Sequence, residues 1–279
     1  MPTSTYTRAV LLLCALTLAP AAALALPKME AGVGVGTAAL PTYRGSDHYG
    51  VVALPLPYFI YRGDRIRLTR QGLRARLFDL DHFNLGLSAA FTVPGHGGDD
   101  PARIGMPSLR STLELGPSFD WNYVEGDYAW CLCVPVRSVT ATNLRHFNPA
   151  GWTSHPHLKL EHFVYSERRF LVESVSFGPV FADHKYHAYF YDVAPQYATA
   201  ERPAYQTRGG YSGFRGSLFL GARQGKWSGG IGVIGDWLGG AVFADSPLVK
   251  TKGAATFGLG FAYSLWSKGS ADVVEDATP

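Results

Sequence analysis

The chain has 279 residues, 32 of them glycine, with 13% aromatic residues, 17% charged residues and a formal net charge of +3. The mild basic balance, with no dense Lys/Arg patch interleaved with aromatics, excludes a nucleic-acid binder. A mean hydropathy of zero excludes a polytopic helical membrane protein, while the charge content lies below the quarter or so usual in soluble domains.

Residues 1–25 read as a signal peptide. Arg8 supplies the positive start, and Ala9 to Ala19 form an apolar core too short to span a bilayer as a helix. Ala23 and Ala25 place small residues at −3 and −1, so cleavage is expected after Ala25. Cys14 follows three leucines inside this core and makes a poor lipobox.

From there almost every segment alternates with period 2, and no stretch of a dozen residues holds a helical period. In 256–266 the residues Phe257, Leu259, Phe261, Tyr263 and Leu265 face one way, and Gly258, Gly260, Ala262 and Ser264 the other. The segment 83–92 repeats the pattern. One face is apolar and aromatic; the other is Gly, Ser, Ala, Thr and Asn with scattered Arg. That assignment fits a narrow barrel with small residues inside and large ones in lipid. Strands are predicted near 30–40, 50–60, 64–71, 73–80, 83–92, 109–121, 128–142, 151–165, 168–182, 209–222, 226–239 and 254–266.

The expected fold is therefore all-β: a closed antiparallel transmembrane β-barrel of about twelve strands over residues 26–267. Short periplasmic turns are expected at Arg62-Gly63-Asp64, Asp81-His82, Ser166-Glu167 and Gln224-Gly225. Long external loops are expected at 93–108, 143–150, 182–208 and 240–253. The parity of these connections requires a tight external turn at Gln71-Gly72. The acidic end 268–279 reads as a disordered periplasmic tail.

Pro55 and Pro57 conflict with a paired strand, because both remove a donor from the same side of the ladder. In a barrel they open the second strand toward one neighbour, and the short third strand is the expected place. Cys131 and Cys133 share a strand face; a bridge across one intervening residue is strained, so they read first as two small apolar side chains, with a redox or metal pair as the alternative.

The ordered series of segments resembles the MipA/OmpV family of Gram-negative outer-membrane proteins. It runs through GVGVGTA, then Tyr43, Gly45, Ser46 and Asp47, and LPLPYFIYRGDR, then GMPSLRSTLELGP, LCVPVRSVTAT and Gly151-Trp152. It ends with YFYDV, Tyr197, Pro203-Ala204-Tyr205, Gly209-Gly210-Tyr211 and Asp245-Ser246-Pro247-Leu248-Val249. The resemblance implies an outer-membrane barrel and, from a founding member, a scaffold that joins a lytic murein transglycosylase to a murein synthase. Other members are implicated in osmotic or antibiotic response and adhesion. The chain departs from such barrels in continuing about a dozen residues past the terminal aromatic Trp266.

No catalytic, cofactor or metal residue is assigned. His155 and His157 share a face near an external loop, with Ser154 aimed away; Asp183, His184 and His187 cluster at the start of the longest loop. These read as polar loop residues, with a rim acid/base pair or metal site as the alternative. Asp99 and Asp100 lack the spacing of a known calcium loop, and Gly34 and Gly36 belong to a strand. Trp121, Tyr123, Trp227, Trp237, Tyr263 and Trp266 read as an interfacial girdle. The expected function is a non-enzymatic envelope scaffold, with outer-membrane lipid and murein enzymes as partners. The alternative is a narrow passive channel, in which inward Arg215 and Arg223 favour anions, or an adhesion and stress-response protein.

Overall fold

The computed structural model describes residues 27–269 except 64, 65, 70, 71, 81, 96–98, 167 and 168, and no side chain of residues 56, 66–69 and 72–80. The expected signal peptide, nearly all of the tail, and the turns at 64, 71, 81 and 167 fall outside these residues. The strands are β1 (Met29–Pro41), β2 (Tyr49–Arg62), β3 (Ile66–Thr69), β4 (Gly72–Leu80), β5 (Phe83–Thr92), β6 (Ser111–Glu125) and β7 (Tyr128–Thr142). They continue with β8 (Phe147–Ser154), β9 (His157–Ser166), β10 (Arg169–Ala182), β11 (Gly210–Gln224), β12 (Trp227–Trp237) and β13 (Gly253–Lys268). One helix, α1 (His184–Tyr191), lies between β10 and β11.

Apart from β8 and β9, which do not pair with each other, each strand pairs antiparallel with its sequence neighbours, and β13 returns to pair with β1 from Met29–Lys268 to Ala39–Phe257. The sheet is thus a closed barrel. β8 and β9 both pair with β7 and both with β10, so they share one position in the wall. The thirteen strands therefore fill twelve wall positions. The strand expected over 151–165 is broken at His155-Pro156 and begins earlier, at Phe147. Pro156 has no N–H and restricts the residue before it, which ends one segment without changing the register of the next.

The inside and outside alternate as the pattern requires. On β13 the residues Phe257, Leu259, Phe261 and Leu265 are exposed, as lipid-facing side chains are in isolation. The residues between them carry little or no side chain, and Gly34 on β1 would place a Cβ only 2.5 Å from the Phe261 carbonyl. Outward aromatics form two belts. Trp152, Phe181, Phe214 and Trp237 lie toward the external loops, and Phe83, Tyr123, Tyr128, Trp227 and Trp266 toward the short turns. Trp121 and Tyr263 complete the lower belt by packing on Tyr123 and Trp227, with ring centroids 6.3 and 4.7 Å apart. Gly126 and Gly225, both with φ near +60°, make the tight turns between β6 and β7 and between β11 and β12.

β2 departs from this regularity. Its whole length pairs with β1, but only Tyr61 and Arg62 pair with β3, which ends at Thr69. Arg62 donates its N–H to the Lys28 carbonyl at 2.8 Å. The unbroken register then points the even residues of β2 at β1 and the odd ones away from it. Pro55 and Pro57 therefore stand on the side that β3 leaves open, as their spacing predicted.

Candidate functional site

The external loops do not splay into solvent; they fold over the barrel mouth. Tyr43 and Leu109, with Tyr191 and Val193, meet Leu238, Ala241, Phe243 and Leu248 in one buried core drawn from four loops. Phe243 stacks on Tyr191 with centroids 3.7 Å apart. The Tyr43 hydroxyl donates to the Leu248 carbonyl at 2.7 Å, and the Tyr191 hydroxyl to the Arg44 carbonyl at 2.8 Å. Burial raises the pKa of both phenols, so they stay neutral donors. Arg103 donates to the Phe190 carbonyl, and Arg202 to the carbonyls of Ala102 and Ile104. Segments that carry the resemblance, Tyr43–Asp47, YFYDV, Tyr205 and Asp245–Val249, all lie in this cap.

Beneath the cap, the outer part of the lumen holds a cluster of charges. Arg44 Nε donates to Asp236 Oδ1 at 2.7 Å, and Arg215 grips the same carboxylate through Nε and Nη2, both at 3.0 Å. Across the lumen, Arg137 Nη1 lies 3.3 Å from Glu114 Oε2 and its Nη2 2.8 Å from Ser88 Oγ. Two cavities, of ≈ 130 and ≈ 60 Å³, share Arg44, Glu114, Tyr186 and Arg215 in their walls. Burial pushes the Tyr186 phenol up to about 12. Arg44 Nη2 and His155 Nε2 are buried without a hydrogen-bond partner among the described residues.

At the opposite end, fully buried Glu30 on β1 accepts from Tyr58 Oη at 2.7 Å and from Arg223 Nη1 at 2.5 Å, with Arg62 at 3.6 Å. Arg215 and Arg223 thus face the lumen as expected, but each is matched by a carboxylate. Neither is the free cation that anion selectivity requires.

The histidines and aspartates singled out in the sequence are held by hydrogen bonds and ring contacts. His155 and His157 stack at 4.7 Å where β8 gives way to β9, while Ser154 Oγ donates to the Pro135 carbonyl. Asp183 caps α1: its Oδ1 accepts from Tyr186 N at 2.8 Å and Trp152 N at 3.1 Å. His187 separates from it and bonds the Arg208 carbonyl through Nδ1 and Ser212 Oγ through Nε2, both at 2.6 Å. A carbonyl only accepts, so Nδ1 carries the proton and Nε2 accepts from the serine. Sequence reasoning missed Ser212. The pair has the spacing of a nucleophile and base, and both residues are 0% exposed, with Phe243 packed against the His187 ring. Asp99 and Asp100 tie the loop together through Ser108 and Ser46.

Cys131 and Cys133 form a disulfide on the inner face, which corrects their reading as two free apolar side chains. Asp120 lies beside them, but joined sulfurs are not thiolates, and Asp120 instead accepts from Ser118 Oγ at 2.6 Å.

The closed wall, alternating faces and aromatic belts define an outer-membrane β-barrel protein. The family model described as MltA-interacting protein MipA matches residues 33–265, and the chain belongs to that family. Solved structures similar to it include an outer membrane channel from Pseudomonas putida F1 (11% identity, 89% of this chain and 100% of that one, TM-score 0.45). They also include the CymD monoaromatic hydrocarbon channel (12%, 88% and 90%, TM-score 0.33) and the outer membrane protease OmpT of Escherichia coli (10%, 90% and 99%, TM-score 0.27). No curated protein sequence matches the chain.

Proposed function

We propose that this chain is a non-enzymatic scaffold of the outer membrane, docking a murein transglycosylase and a murein synthase on its periplasmic side. The observation that carries this reading is the cap: a barrel whose outer mouth is covered by a core of its own is poorly suited to free passage. The family description names an interaction with MltA, the murein transglycosylase, and supports the same partner class. The sealing of His187 and Ser212 supports a role without catalysis. Crosslinking in intact envelopes followed by capture of the barrel tests it: murein enzymes are expected among the captured proteins, and their absence overturns the scaffold.

The second reading is a narrow channel, favoured by the cavities of ≈ 130 and ≈ 60 Å³ beneath the cap, both walled in part by Arg44, Glu114 and Arg215. Planar-bilayer recording separates the two. A silent membrane is expected for the scaffold, and steady ion steps establish the channel.

A further inference from the structure

Among the described residues, the barrel wall has a side opening between β2 and β5. Above its last pair with β3, β2 has a partner on the β1 side alone. β5 is paired with β4 only as far as Arg74–Ser88, leaving Ala89 to Thr92 without a strand partner on that side among the described residues. The β3–β4 hairpin forms the sill of the gap, where Thr69 faces Gly72. Its lintel is formed by residues 93–95, directly after β5. Gly95 lies so close to β1 that a Cβ would sit 2.6 Å from the Leu40 carbonyl and 2.9 Å from that of Pro41. Two strand segments missing at spacings of about 4.8 Å leave roughly 14 Å between β2 and β5 at the sill.

The gap lies within the apolar belt. Tyr49 marks its upper end, and below it Val51, Ala53, Pro55, Pro57 and Phe59 are exposed on the outer face. On its inward face β2 carries Val52 and Leu54, the latter 45% exposed. Both faces of this edge are therefore apolar.

A bare strand edge ordinarily invites another strand. Here it does not, because Pro55 and Pro57 remove two of the donors that an added strand would use. The remaining carbonyls on that side need water, since they have no strand to pair with. The edge is thus wet, apolar-sided and closed to strand addition. Just inside it, Thr92, Val93 and Pro94 at the end of β5 line the same ≈ 130 Å³ cavity as Leu40, Pro41 and Arg44. That cavity is bordered by Arg44, Arg110 and Arg215 against Glu114 and Asp236, one positive charge in excess, and Arg44 Nη2 is unpartnered.

From this geometry we infer that the barrel admits a single-chain anionic amphiphile sideways from the membrane, its chain passing along Val52 and Leu54 and its acidic head meeting Arg44. This goes beyond the docking role and does not rest on it. A scaffold with no murein partner could still bind the amphiphile, and the reverse.

The test uses the folded full barrel in lipid nanodiscs with cis-parinaric acid as probe and its methyl ester as control. Saturable fluorescence gain is expected with the acid. The ester, and the acid with Arg44→Gln, are expected to bind about tenfold more weakly. Val52→Trp with Leu54→Trp is expected to slow uptake several-fold at unchanged final amplitude. Should that pair fail to show the heat-modifiable migration of a folded barrel, Ala53→Cys, folded first and then coupled to a bulky maleimide, blocks the same edge. Equal affinity for acid and ester, equal affinity in Arg44→Gln, or unchanged uptake with the edge blocked would each overturn the inference. So would efficient crosslinking of Ala53→Cys between two copies, because the gap would then be an interface.

Discussion

Two groups of prolines within the wall of this barrel are handled in opposite ways. On one side Pro117, Pro135, Pro156 and Pro179 fall in successive wall positions, from β6 to β10. By the register of the surrounding pairs, Pro135 stands opposite His155, and Pro156 opposite Pro179. The ladder creases there but stays closed, because side chains replace the missing donors. Ser154 Oγ donates to the Pro135 carbonyl at 2.7 Å and Thr153 Oγ1 to the Phe181 carbonyl at 3.2 Å; the His157 ring bonds the His155 carbonyl at 2.7 Å. Gly116 and Gly178 let the buckled carbonyls of Val136 and Pro156 lean over them. On the other side Pro55 and Pro57 face no strand, and no described side chain substitutes for their donors. A proline in a sheet thus marks a repaired crease or a maintained edge, according to whether hydroxyls and glycines accompany it.

The contrast can be broken most forcefully at the crease. Gly178→Ala drives a methyl into the Pro156 carbonyl, which belongs to rigid backbone, and is expected to cost about 3 kcal/mol; urea unfolding in detergent measures it. Ser154→Ala leaves the Pro135 carbonyl without its donor, for an expected loss of about 1.5 kcal/mol in the same assay.

Acid should act on the cover of the crease and spare the gap. Burial lowers the pKa of His187, outweighing the Arg208 carbonyl, with the Arg44 charge also opposing protonation. The folded state then binds fewer protons than the unfolded one, so stability is lost as pH falls below the ordinary histidine value of about 6.5, by at most about 1.4 kcal/mol per pH unit. Proteolysis of the β10–β11 loop is expected to quicken between neutral pH and pH 5, and His187→Gln to flatten that dependence. The smallest effect belongs to Pro55→Val with Pro57→Val. With no partner strand to gain, stability should move by no more than about 0.5 kcal/mol. Crosslinking between copies is expected to rise, because the restored donors make the edge sticky.

Period-2 alternation and loop parity were enough to place all twelve wall positions, including the awkward split near residue 71, because lipid outside and crowding inside impose the pattern on every strand. The break at Pro156 was readable from the proline, which stands between two histidines inside the segment 151–165 expected as one strand. The cap was not legible. Tyr43, Leu109, Tyr191 and Phe243 come from four loops, none periodic, and only the closed barrel brings them together. The inward placement of Arg215 and Arg223 was legible, but their partners were not. Asp236 lies on the next strand, whereas Glu30 reaches Arg223 past β13 and β12. The carboxylates Glu114 and Asp236, sitting in the inward phase of their strands, were the signal available for the vestibule.

Glu30 gives the barrel a sense of time. It belongs to the first strand, yet Arg223 comes from the eleventh, and the two meet only when the last strand has docked against the first. Until then the carboxylate faces an unfinished lumen with its final cation out of reach. The late-formed clamp rewards completion of the ring, so a chain stalled before its C-terminal strand remains without its innermost fastening.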